Sequence, residues 1–154
     1  MKFDIDKYHF FFFDFDGVIV DNFEMAYRFN AKVGFDITRD EYRDMFMGNV
    51  YDSVKKRVPE DEWEEHNKQW FDMYSPKVLK QPLQKGINKA IKELAKKYKL
   101  VIISSSISSP IQKYLKLHKL DRYFEDIYGS DVHQSKEEKV NRVFKKYNIT
   151  AKDC

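Results

Sequence analysis

A chain of 154 residues and 18.6 kDa, 42% hydrophobic and 16% aromatic, holds enough apolar material for one core and is short for two independent domains. Its 13 Phe and 10 Tyr residues exclude the aromatic-poor composition of a disordered chain. The 28 basic and 25 acidic side chains are interspersed for a net charge of +3, so no single-sign field marks a polyanion binder, and the lone Cys154 excludes an internal disulfide and a multi-cysteine metal site.

The longest apolar run, Phe10 to Phe13, is too short to span a bilayer, and Asp4, Asp6 and Lys7 precede it. A cytoplasmic protein without membrane association is expected. The lysine-rich stretches 85–99 and 113–119 alternate with apolar residues at helical spacing, which reads as solvated helix faces and not as nucleic-acid patches.

In chain order, Tyr8 to Phe15 is aromatic until Asp14 and then meets Asp16-Gly17, the pattern of a buried strand ending in a polar turn. Phe23, Ala26, Phe29 and Val33 recur on one helical face before Gly34, which predicts a helix stop there. Thr38 and Glu41 have capping-box spacing for a short helix through Tyr42, Met45 and Phe46 that ends near Gly48. A third helix is predicted over Tyr51 to Arg57. A fourth opens at Pro59, with Trp63, Trp70, Phe71 and Tyr74 opposite an acidic face, and ends by Ser75.

After a connector from Pro76 to Pro82, the apolar stripe Ile87, Ala90, Ile91, Leu94 and Ala95 marks a helix, and Leu100 to Ile103 a β-branched strand. Pro110 is expected to open the next helix, Asp126 to Gly129 to form a short third strand, and Ser135, with Glu138 three residues on, to cap a helix over Lys136 to Tyr147. Alternating strands and helices from residue 77 onward argue for an α/β parallel sheet. The expected organisation is a discontinuous Rossmann-like core, residues 1–18 and 77–154, with a helical cap inserted over 19–76.

Ligands bind outside the carboxyl ends of strands in such sheets. Three polar clusters fall at those ends: Asp14 with Asp16, Ser104 to Ser106, and Asp131 with Lys136. Two carboxylates one residue apart repel unless a cation or a proton is shared, and hard oxygen ligands favour Mg²⁺. A carboxylate nucleophile, a neighbouring acid, a lysine and a serine form the inventory of phosphoryl transfer through an aspartyl-phosphate. His9, His66, His118 and His133 have no metal-ligand spacing, and Lys55, Lys56 and Arg57 are read either as a solvated helix end or as contacts for an anionic substrate.

The run Asp14-Phe15-Asp16-Gly17-Val18-Ile19-Val20-Asp21 resembles the first signature of the haloacid dehalogenase superfamily, and Val101-Ile102-Ile103-Ser104-Ser105-Ser106 resembles the second. Gly129-Ser130-Asp131 through Ser135-Lys136 resembles the approach to the third, and Gln81-Pro82-Leu83-Gln84-Lys85-Gly86 resembles the lead into the helix before strand two. The likeness is to the branch with a helical cap that includes phosphoglycolate phosphatases and β-phosphoglucomutases. It implies that Asp14 is nucleophile and metal ligand, and that Asp16 is acid, then base, and lends its main-chain carbonyl to Mg²⁺. It implies further that Gly17, Ser104, Ser105 and Lys136 bind the phosphoryl group. Relatives that dehalogenate lack the second aspartate, so Asp16 favours a phosphatase of a small phosphorylated metabolite. A phosphomutase with the same intermediate is the enzymatic alternative, and Asp21 is read as a hydrogen-bonded turn residue.

The sequence departs from the family pattern in one respect: no acidic pair follows a hydrophobic strand after Lys136, so a fourth motif and the C-terminal strands of the core are expected to be missing. A non-catalytic binding module is therefore the alternative from another class. Phe10 to Phe13 would then lie on an unpaired edge, open to self-association.

Overall fold

A computed structural model describes residues 8–32 and 36–154. The chain divides into two compact units, one formed by Met1–Asp21 with Leu83–Cys154 and the other by Asn22–Pro82.

The first unit is a parallel three-stranded sheet in the order β1 (Phe10–Phe13), β2 (Lys99–Ile103), β3 (Phe124–Tyr128). Phe10 faces Lys99 and Phe13 faces Ile102 along β1 and β2, while a register shift between Leu100 and Val101 interrupts the pairing of β2 with β3. Residues of β2 alternate between faces. Val101 and Ile103 form a buried cluster with Phe10 and with Val143 of α7 (Lys136–Tyr147), against which Phe12, Tyr128, Val140, Tyr147 and Ile149 pack. Leu100 and Ile102, on the opposite face, are equally inaccessible, as are Ile91 of α5 (Ile87–Leu94) and Ile111, Tyr114 and Leu115 of α6 (Ser108–Leu117). A strand buried on both faces explains why β2 reads as an unbroken apolar run. β1 lies at an edge of the sheet among the described residues, and at its start His9 N–H donates to the Asp153 carbonyl at 2.8 Å.

The second unit holds α1 (Phe23–Lys32), α2 (Arg39–Asp44), α3 (Val50–Lys55) and α4 (Trp63–Val78). Ala26, Tyr42 and Met45 are its buried cluster, with Phe23, Tyr27, Ile37, Val54 and Trp70 packed around them. The Thr38 capping box forms as expected, with Glu41 N–H on the Thr38 hydroxyl at 3.3 Å and the Glu41 carboxylate on Thr38 N–H at 2.7 Å. Trp70 stacks on Tyr74 with ring centroids 4.7 Å apart, so the aromatic stripe of α4 serves packing. The expected stop at Val33 and Gly34 lies outside the described residues.

Several element boundaries differ from the sequence expectation, two of them through proline. α4 begins after a 3-10 turn at Glu60–Glu62 and continues through Pro76 to Val78. Proline in that last, exposed turn forfeits only one hydrogen bond, to a carbonyl that water can reach. α6 starts at Ser108, two residues before Pro110. A proline in a first turn is tolerated because the first four N–H groups have no intrahelical acceptor. β3 starts at Phe124, whose ring meets Phe13 edge-on at 5.8 Å, and ends before Gly129.

Candidate active site

Strand β1 stops at Phe13, and the next eight residues fold into a tight loop organised by one carbonyl. Phe15 O accepts from the N–H groups of Val18, Ile19 and Val20 at 3.3, 2.9 and 3.1 Å, and the Phe15 ring is fully buried edge-on to Tyr114. Gly17 provides the turn at φ +73°, where a side chain would be strained. Its N–H returns to Val20 O at 2.9 Å, and its carbonyl accepts from the Gln84 amide at 3.1 Å.

This loop sends its two carboxylates to different partners. Asp14 Oδ1 accepts from Phe15 N–H at 2.7 Å, and Asp14 Oδ2 forms an ion pair with Lys136 Nζ from the first residue of α7. Those two side chains keep 36% and 45% of their surface exposed, so the pair is within reach of a solute and screened by water. Asp16 Oδ2 instead accepts from Ser106 Oγ at 2.7 Å, with Ser104 Oγ at 3.5 Å.

Ser104, just beyond β2, is fully buried and held at each polar group. Its N–H donates to Tyr128 O at 3.0 Å, its hydroxyl accepts from Ser106 N–H at 3.0 Å, and its carbonyl accepts from Lys139 Nζ. Ser105 is half-buried beside it. The loop after β3 is tied to α6 through Asp131, whose Oδ1 accepts from both N–H and Oγ of Ser108 at 2.8 Å, while Ser108 Oγ accepts from Gly129 N–H at 3.0 Å.

The sequence-predicted Asp14, Asp16, Ser104 and Lys136 thus come together at the carboxyl ends of β1 and β2 and the start of α7. Two residues escaped the sequence reading. In the sequence Ser106 is only part of a serine run, although it is the closer hydroxyl to Asp16. Lys139 is not singled out by the sequence, although it is fully buried. Its place on the inward stripe, four residues before Val143, was the available signal. Burial pulls its ammonium down to about 8, Lys136 pushes the same way, and Asp14 and Asp131 oppose.

Asp21 is exposed, and no hydrogen bond reaches its carboxylate among the described residues, which corrects its reading as a bonded turn residue. Its charge acts on Tyr114, whose phenol is pushed up to about 12, first by burial and then by Asp21. In the second unit, Lys55 Nζ sits over the Trp63 ring at 5.2 Å and Arg57 donates to Ser53 O at 2.7 Å. His133 Nδ1 accepts from Ser135 N–H at 2.9 Å, and no group of three His, Cys, Asp or Glu residues is close enough to hold a metal among the described residues.

The Asp14 carboxylate and the Asp16 carbonyl are hard oxygen donors, and Asp14 already accommodates a cationic ammonium. Both features fit a Mg²⁺ ion that retains waters and uses few protein ligands.

A parallel α/β unit with an aspartate pair, a serine cluster and a lysine at its strand ends defines a class of hydrolase, and family comparison agrees. The chain belongs to the haloacid dehalogenase-like hydrolase family, whose model matches residues 11–154. No curated protein matches the sequence. Among solved structures, a haloacid dehalogenase-like family hydrolase of Streptococcus pneumoniae is similar at TM-score 0.73 and 20% identity, covering 97% of this chain and 79% of its own. A Clostridium acetobutylicum protein described as a predicted phosphatase is similar at TM-score 0.76 and 20% identity, covering 95% and 73%. The candidate HAD hydrolase YfnB of Bacillus subtilis, bound to magnesium, is similar at TM-score 0.58 and 19% identity, covering 90% and 74%. At these identities the likenesses establish the fold. No helix of the described residues is long and apolar enough to cross a membrane.

Proposed function

We propose that this protein hydrolyses the phosphomonoester of a small metabolite through a phosphoaspartate on Asp14. The observation that carries the reading is the division of labour between the two carboxylates. Asp14 is half-exposed and paired with Lys136, whereas Asp16 is turned toward the serines.

In the first half-reaction an Asp14 carboxylate oxygen forms a bond to phosphorus while the bond from phosphorus to the alcohol oxygen breaks, and protonated Asp16 gives its proton to that leaving oxygen. In the second, Asp16, now a carboxylate, takes a proton from water as the water oxygen bonds to phosphorus and the Asp14–phosphorus ester breaks. Inorganic phosphate and free Asp14 result. Lys136 balances charge on Asp14 and on the phosphoryl oxygens, and the Ser104 hydroxyl and neighbouring N–H groups orient them. Mg²⁺, when held by the Asp14 carboxylate and the Asp16 carbonyl, would supply further neutralisation of phosphoryl charge. The magnesium of YfnB supports that choice of ion.

The test is phosphate release from an aryl phosphate by the full chain with and without Mg²⁺, with Asp14→Asn as control. Metal-dependent release that vanishes in the variant is expected. A folded protein that binds phosphate and releases none would make it a binding module.

A further inference from the structure

Lys139 lies one helical turn beyond Lys136 on α7, so two ammonium groups share one face of the helix near its N-terminus. The side chain of Lys139 is wholly inaccessible, and among the described residues its one hydrogen-bond acceptor is the carbonyl of Ser104. An ammonium has three N–H donors, so two find no acceptor there. An isolated buried charge is costly, and buried lysines ordinarily sit against a carboxylate. The acidic groups whose charge acts on it, Asp14 and Asp131, are already engaged by Lys136 and by Ser108. Among the described residues Lys139 is therefore a cation beside the proposed phosphoryl site with no carboxylate hydrogen-bonded to it.

We propose that Lys139 is a second, buried cation of the phosphoryl site: it fixes Ser104 through its carbonyl and supplies a positive charge that a bound phosphate dianion balances. This deepens the reading above and depends on it only for where the phosphoryl group sits. It is a positioning residue, acting on the anion through Ser104 and through its field. The charged groups that act on it are Lys136 on its own helix, Asp14 at the end of β1 and Asp131 after β3. Because burial brings its titration down to about 8, the charge is present in neutral solution and lost in mildly alkaline solution.

The test is calorimetric titration of the full chain with inorganic phosphate at about pH 7 and about pH 9.5, on either side of the shifted lysine, for wild type, Lys139→Met and Lys139→Arg. Wild type is expected to bind about tenfold more weakly at the higher pH. Lys139→Met should bind about tenfold more weakly at the lower pH and lose the dependence, as fits the loss of one buried positive charge and of its charge-assisted bond to Ser104. Lys139→Arg should keep its affinity at both.

Unchanged affinity and pH profile in Lys139→Met would overturn the proposal, as would folded wild type that binds no phosphate. Should Lys139→Met not fold, a Lys139→Arg profile that still falls like wild type overturns it. If neither variant folds, wild-type affinity that does not fall with pH does so. Phosphate binding without hydrolysis would sink the proposed activity and leave this inference standing. Hydrolysis with Lys139→Met binding phosphate like wild type would do the reverse.

Discussion

Ser106 donates its hydroxyl to Asp16 Oδ2 at 2.7 Å, although the two residues are 90 positions apart. That length is typical of an O–H to carboxylate bond, whereas the 3.5 Å from Ser104 Oγ to the same oxygen lies outside the usual range. Ser106 therefore sets the orientation of Asp16, and its own N–H fixes the Ser104 hydroxyl. One residue thus couples Asp16 to Ser104.

Ser106→Ala should lower kcat for an aryl phosphate by about tenfold or more, from the loss of one charge-assisted hydrogen bond, with a smaller change in KM. Steady-state kinetics on the folded variant measures both. An unchanged kcat would remove Ser106 from the site.

Gly129 tests the packing where β3 leaves the sheet. A Cβ there would come within 2.5 Å of Ser108 N and of Asp131 Oδ1, and within 2.6 Å of Ser106 O. Two of these atoms are backbone and cannot move aside, so Gly129→Ala is expected to cost about 1–3 kcal/mol, as overpacking does. Gly48→Ala, where nothing lies within 4 Å, is the matched control and should melt close to wild type. Urea titrations of both variants decide it.

The stability of wild type should depend on pH through Lys139 in a definite direction. Its folded pKa of about 8 lies below the ordinary 10.5, so between these values the unfolded chain binds more protons and stability rises with pH. The penalty is fully present below the folded value and gone above the unfolded one. The stability of wild type relative to Lys139→Met is therefore expected to increase from about pH 8 to about pH 9.5, short of ordinary tyrosine ionisation. Paired urea titrations measure the difference, and a flat or falling difference contradicts it.

The outer flank of β1 makes a prediction about association. Among the described residues the Asp153 carbonyl engages only the residue before the strand, and the rest of that edge can template another strand. Sedimentation over a concentration series is expected to show reversible self-association. A strict monomer with a sharp two-state melt would count against it.

What sequence displayed and what it hid follow from the range of each interaction. The capping pairs Thr38 with Glu41 and Ser135 with Glu138 act over three residues, and both form as the spacing implied. The strand ends carrying Asp14 and Ser104 were visible because buried parallel strands are continuous apolar runs that stop at polar groups. Pro76 and Pro110 read as boundaries in the sequence but lie inside helices, because the cost of a proline depends on its turn within the helix. Lys139 was hidden by its type: lysine defaults to solvent, and only its carbonyl partner, 35 residues away, keeps it inside.

The ion pair of Asp14 with Lys136 joins points 122 residues apart. During synthesis at about 5–20 residues per second, Lys136 would follow Asp14 out of the ribosome by roughly 6–24 s. Over that interval Asp14 exists without its counter-charge, and the strand before it lacks the cover of α7. A nascent chain would thus carry Asp14 unpaired until α7 emerges, so the pairing of these two residues marks the docking of that helix on the sheet.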